Sequence, residues 1–213
     1  MEKFLPIVAL SLEVSLSATL LASIAGISAA ALLALSRFPG RGLLVVAANA
    51  LLGLPPVVVG LAMYLLLSHE GPLGALGLLF TPAAMVLAQA ILATPIVAAL
   101  AHRVMEARWA EYGRAFEASG ASRLHALPHL LAMSLRPLTT AVLAGFGRTI
   151  SEVGAVLIVG GNIAFHTRTM TTTIVLETSR GNLELALSLG LVLIGISVTV
   201  SSVVLLLGGE QGR

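Results

Sequence analysis

The chain has 213 residues, 57% of them hydrophobic and only 10% charged, with a mean hydropathy of +1.01; an average soluble domain carries roughly one-quarter charged residues. The net charge is +2 despite an isoelectric point of 9.7, and no basic patch is interleaved with the scarce aromatics, which excludes a nucleic-acid-binding module. The chain has no cysteine, so disulfides, thiolate zinc sites and iron–sulfur clusters are excluded too.

Charge-free stretches mark the membrane spans in chain order. Residues 14–36, 42–68, 71–101 and 185–209 each lack Lys, Arg, Glu and His. Each exceeds the ~20 residues that cross ~30 Å of hydrocarbon as a helix. A further apolar stretch over about 138–160 is interrupted by Arg148 and Glu152. These stretches predict five transmembrane helices, at roughly 12–36, 43–67, 82–102, 138–160 and 184–208. The first apolar stretch is too long for a signal peptide and has no clear processing site.

In the second span Pro55-Pro56 interrupts the pattern. Such a break either lines a cavity as a gate or kinks the helix for packing. Between the third and fourth spans lies a basic insert, 103–137. Its first half is Ala- and Glu-rich and reads as a helix. Gly120 suits a helix end at positive φ, and Ser122 suits the cap of the next helix. Leu124, Leu127, Leu131 and Leu135 then recur at helical spacing, with Pro128 kinking that helix or marking its start. The insert reads as helix, elbow, helix, either docking a soluble partner or packing under its own bundle.

In the fourth span Gly147, Ser151 and Gly154 fall on one predicted helix face, where small residues admit a neighbouring backbone. Arg148 and Glu152 stand four apart on the next face. A membrane-embedded charge is costly alone, so the two are expected to pair. Two readings stay open: the pair lines an anion path, or it locks the fourth helix to a neighbour. His125 and His129 also stand four apart but have no third ligand beside them, so no metal site is expected. No nucleophile–base pair, glycine-rich phosphate loop or carboxylate dyad appears, so the chain is not expected to be an enzyme or to hold a cofactor.

Lys and Arg placement sets the expected orientation. Eight basic residues (Arg37, Arg41, Arg103, Arg108, Arg114, Arg123, Arg136 and Arg213) fall on one side of the five spans, and Lys3, Arg168 and Arg180 on the other. This places the N-terminus outside and the insert and C-terminus in the cytoplasm of a multi-pass cell-membrane protein. The whole of 1–213 reads as one all-α membrane domain.

The insert resembles the cytoplasmic coupling loop of type I ATP-binding-cassette importers. There a Glu-Ala-Ala, three residues, Gly, nine residues and an Ile-x-Leu-Pro-like end dock onto the ATPase subunit. Aligning that Gly with Gly120 places Arg114-Ala115-Phe116 at Glu-Ala-Ala, with only Ala115 matching; Leu130 takes the Ile position and Met133 the Pro position. Glu111 and Glu117 are the acidic side chains nearest the missing Glu. The resemblance assigns ATPase contact to Ala115, Phe116, Glu117, Gly120, Ala121 and Ser122.

Gly145-Phe146-Gly147-Arg148, Glu152-Val153-Gly154-Ala155 and Gly160-Gly161-Asn162-Ile163 are similar to the fourth-helix signature of molybdate and tungstate permeases. Pro55 to Leu61, Gly71-Pro72-Leu73-Gly74, Leu79-Phe80-Thr81-Pro82 and Thr173 to Ser179 look closest to the tungstate branch. The resemblance implies the permease subunit of an oxyanion importer, carrying tungstate first, molybdate or sulfate as alternatives. It implies two ATP-binding subunits, an extracytoplasmic substrate-binding protein and a second permease copy, with an ion path on the dimer axis. A secondary transporter is the competing class; it would need inverted repeats or a further intramembrane ion site, and neither is visible.

Overall fold

A computed structural model describes residues 4–36 and 38–209. Lys3, Arg37 and Arg213 of the charge count lie outside the described residues. Within them the chain is helical: α1 Phe4–Leu35, α2 Arg41–Ala50, α3 Pro56–Leu67, α4 Pro82–Ala118, α5 Arg123–Met133, α6 Leu135–Ile150, α7 Gly154–Gly160, α8 Met170–Ser179 and α9 Leu183–Gly209. Short 3₁₀ turns at Leu51–Gly53 and Gly74–Leu76 complete the set.

The bundle is built around α1 and α4, its most extensive helix pair. On α1 a residue every four positions is small: Ala18, Ala22, Gly26, Ala30 and Ala34 are all buried. Opposite them α4 buries Ala84, Ala88, Val97 and Ala101. A small-residue seam lets helix backbones approach closely where no water drives association. The approach is close at Val97. A Cβ added to Gly26 of α1 would lie 2.9 Å from the Val97 Cβ, and one added to Gly145 of α6 would lie 2.8 Å from its Cγ2. Val97 is thus a knob held between two glycines from different helices.

Three helices, α1, α4 and α9, are long and apolar enough to cross a membrane, and up to five spans result if two bent pairs each count as one. The bent pairs are α2 with α3, turning through 100°, and α5 with α6, turning through 76°. The interruption expected at Pro55-Pro56 in the second span, 43–67, is a sharp turn between two limbs. Pro55 is extended at ψ 122° and Pro56 starts α3, so the chain turns sharply between the limbs. Proline cannot donate the backbone bond that would carry α2 onward, and it pushes the residue before it out of helical geometry.

The predicted fourth span, 138–160, is corrected. It breaks at Ser151–Val153, between α6 and α7. Gly147, Ser151 and Gly154 consequently do not share one helix face. Gly147 lies on α6, Ser151 caps its end, and Gly154 opens α7 against Val57 of α3, whose Cγ2 would lie 3.1 Å from an added Cβ. At the end of α4 the insert's first helix is the uninterrupted tail of the third span rather than a separate element. Pro128 lies inside α5, which starts at Arg123 instead.

Candidate functional site

Two regions gather the predicted residues. The first is the elbow between α4 and α5. Gly120 has φ +76° and follows the α4 cap residue Ser119. The Gly120 N–H donates to the Glu117 carbonyl at 3.1 Å and the Ala121 N–H to the Phe116 carbonyl at 3.0 Å. This is the paired-bond termination that a left-handed residue permits. Ser122 then caps α5: its Oγ accepts from the His125 N–H at 3.3 Å and meets His125 Nδ1 at 2.6 Å. Ala115, Glu117, Gly120 and Ser122 are exposed, while Phe116 and Ala121 are half-buried, and Phe116 stacks on His129 at 6.1 Å. All six predicted contact residues lie at this one tip. Leu124, 76% exposed, stands beside them.

Two arginines that sequence reasoning did not single out fasten the tip to α1. Arg41 Nε donates to the Leu33 carbonyl and Arg123 Nη1 to the Leu35 carbonyl at 3.1 Å, so both hold the last carbonyls of α1. Cations at a helix C-terminus satisfy orphan carbonyls and oppose the helix dipole. Arg123 also lies 4.7 Å over the Trp109 ring and 3.8 Å from Glu117. Arg41 Nη2 reaches Glu106 at 2.9 Å, and this hydrogen bond, the chief cause, holds the Glu106 carboxyl below its ordinary value.

The second region is the α6–α7 break. Arg148 Nη1 lies 2.7 Å from Glu152 Oε2. The contact is close but not aligned as a hydrogen bond, so it acts as a charge contact. Glu152 Oε1 accepts from the Ala155 N–H at 3.1 Å, so the carboxylate also closes the start of α7. Thr171 Oγ1 on α8 donates to the Glu152 carbonyl at 2.9 Å. The Glu152 side chain is 2% exposed and that of Arg148 is 27% exposed.

Behind the break runs a buried hydroxyl seam. Ser11, Ser15 and Thr19 of α1 face Thr149 of α6 and the start of α8. Thr19 Oγ1 and Thr149 Oγ1 meet at 2.9 Å, and the Met170 N–H donates to Ser11 Oγ at 2.8 Å. Their i, i+4, i+8 spacing on an apolar helix was the available signal. No group of three metal-binding side chains occurs among the described residues.

Residues 22–208 match the family model described as a binding-protein-dependent transport system inner membrane component. The chain belongs to that family. Together with its apolar helices, this makes it a multi-pass membrane permease. It is 38% identical over 198 residues to the tungstate uptake system permease protein TupB of Peptoclostridium acidaminophilum, covering 93% of this chain and 87% of that one. It is 40% identical over 203 residues to a probable anion ABC transporter permease protein of Haloferax volcanii, covering 92% and 87%. The molybdenum transport system permease protein ModB of Azotobacter vinelandii is more distant, at 32% over 188 residues, covering 79% and 78%.

Proposed function

We propose that this chain is the permease subunit of an ATP-binding-cassette importer that carries an oxyanion, tungstate first, into the cytoplasm. The observation that carries this reading is the elbow. Six exposed or half-exposed residues that resemble a coupling motif are gathered at the end of a 37-residue helix that runs on from an apolar span. A helix longer than the hydrocarbon must project from it, and what projects here is a closed, capped turn. In this reading two ATP-binding subunits grip the elbows of two permease copies, and a binding protein delivers the anion to the opposite face. The ATPase chemistry resides in the partner chains. ATP-driven closure moves the elbows and opens the path alternately to each side.

The anion assignment rests on the names of relatives, one a tungstate permease and another an anion permease, both matched over most of their length. Molybdate and sulfate are the competing cargos of the same class. In proteoliposomes holding the permease, its ATP-binding subunit and its binding protein, ATP should drive tungstate uptake. Tungstate should outcompete equal molybdate and sulfate. Uptake driven by an ion gradient without ATP would defeat the reading.

A further inference from the structure

We propose that Arg148 is the side chain that meets the oxyanion in transit and that Glu152 is its positioning residue, an inference that rests on the oxyanion-permease reading. The two members of the pair are unequally placed. The Glu152 carboxylate is 2% exposed and tied to the α7 backbone through the Ala155 N–H. The Arg148 side chain is 27% exposed, and its Nε and Nη2 have no partner among the described residues. A lock between helices would bury both charges. Here the acid is buried and fixed while the guanidinium reaches outward from it.

A guanidinium carries five N–H donors in a planar fork that matches the oxygens of an oxyanion. Glu152 engages one edge of it. Unsatisfied donors are costly in hydrocarbon, so the free edge faces water, a ligand or the second permease copy. The surface beside it is open. Among the described residues, a Cβ added to Gly147 would meet no atom within 4 Å beyond its chain neighbours and its own helix backbone, and exposed Ser151 turns its hydroxyl back onto the Gly147 and Arg148 carbonyls at 2.7 and 3.3 Å.

Pairing with Glu152 also answers an objection to arginine in a transport path. A full positive charge in low dielectric would hold a dianion too long, and passage requires that a site release what it binds. Glu152 at 2.7 Å offsets most of that charge while leaving the donor fork in place. The anion then meets hydrogen-bond donors with little net attraction, a site for brief contact.

The test uses the full transporter in proteoliposomes, with tungstate as probe, and the thermal midpoint of each purified variant. Arg148→Ala strands the buried Glu152 carboxylate and should lower the midpoint, so transport is compared in the Glu152→Gln background. There, adding Arg148→Ala should keep the midpoint of Glu152→Gln and slow uptake about 10- to 100-fold, the loss of a charge-assisted contact. Arg148→Lys should recover part of that rate, because a point charge replaces a planar fork. Glu152→Gln should raise the tungstate retained per mole of washed permease, and adding Arg148→Ala should abolish the retention. Parent-level uptake by Arg148→Ala would overturn the proposal. So would a double variant, Arg148→Ala with Glu152→Gln, that takes up tungstate as fast as Glu152→Gln alone, since the arginine would then serve only to neutralise the buried acid. A parent transporter that moves no oxyanion would instead refute the permease reading.

Discussion

At the scale of single residues, hydroxyls do work that the apolar composition conceals. Thr149 donates to carbonyls of its own helix and of α1, at 3.0 Å to Phe146 and 3.2 Å to Ser15, and meets the Thr19 hydroxyl at 2.9 Å. Hydrogen bonds between membrane helices are worth about 0.6 kcal/mol on average and up to about 1.7 kcal/mol. Thr149→Val, nearly the same shape, should therefore cost about 0.5–1.5 kcal/mol in a denaturant unfolding assay in detergent. Thr19 retains its bond to the Ser15 carbonyl at 2.7 Å, which caps the loss at the lower end of polar deletions. A loss above about 3 kcal/mol would mean that an acceptor is left unsatisfied, and that Thr149 organises more than this seam. The Arg148–Glu152 contact was legible from spacing alone, because four residues is one helical turn. Its asymmetry was not, since burial depends on where α8 and α7 lie.

At the scale of elements, caps and breaks were readable where they rest on residue chemistry, and unreadable where they rest on packing. Gly120 and Ser122 announce their roles in one-letter code: the first tolerates positive φ and the second accepts from a backbone N–H, and both are found so. Pro55-Pro56 signalled a break, yet a 100° turn could not be told from a mild kink, because the angle is set by what α3 packs against. The α6–α7 break carries no proline. It is held by Glu152 and Thr171, the latter nineteen residues downstream, and no local pattern encodes that.

Gly120→Leu should place a branched side chain at φ +76°, a backbone state that costs roughly 1–2 kcal/mol for an L-residue. Among the described residues, no atom beyond its chain neighbours lies within 4 Å of an added Cβ there, so the fold should survive. ATP-driven uptake should fall, because the leucine projects into the partner's space. Gly120→Asn, tolerated in the left-handed region, should keep more activity than Leu. Equal uptake by both variants and parent would remove the elbow from the ATPase contact.

The Arg41–Glu106 contact sets a pH expectation. The Glu106 carboxyl is held below its ordinary 4.5, chiefly by the hydrogen bond from Arg41. A depressed acid contributes stability that is present above its unfolded value and lost as pH falls through its folded value. The part of the stability difference between parent and Glu106→Gln that comes from the Glu106 carboxyl should thus be present above 4.5 and shrink toward zero as pH falls below it, with protonation of neighbouring His102 acting separately at higher pH. Both side chains are substantially exposed, at 30% and 54%, so that difference should be under about 1 kcal/mol. A difference that grows on acidification would reverse the assigned sign.

At the scale of the whole molecule, the helices are unevenly buried. Of the most apolar window, 61% is buried in α4 and 50% in α1, but 6% in α9. The α1–α4 pair is the spine, and α9 spends its apolar surface elsewhere, on lipid or on a second copy. The charge bias toward the α4–α5 side gives an orientation test. A lone cysteine at Ser122 in this otherwise cysteine-free chain should react with an impermeant thiol reagent in inside-out vesicles and stay unlabelled in intact cells. Labelling from outside would invert the topology and take the ATPase contact with it.

Val97, pinched between Gly26 and Gly145, pins α4 near the middle of its length. At 1.5 Å per residue, the arm from Val97 to Ala118 is roughly 31 Å long and the arm from Val97 back to Pro82 roughly 22 Å. Were α4 to pivot there as one rigid rod, a push of about 3 Å at the elbow would swing the opposite end by about 2 Å the other way. The rod has one soft point: Pro95, two residues from Val97, which cannot donate a backbone bond. Bending at Pro95 would uncouple the two arms, so a push crosses Val97 only while α4 stays straight there.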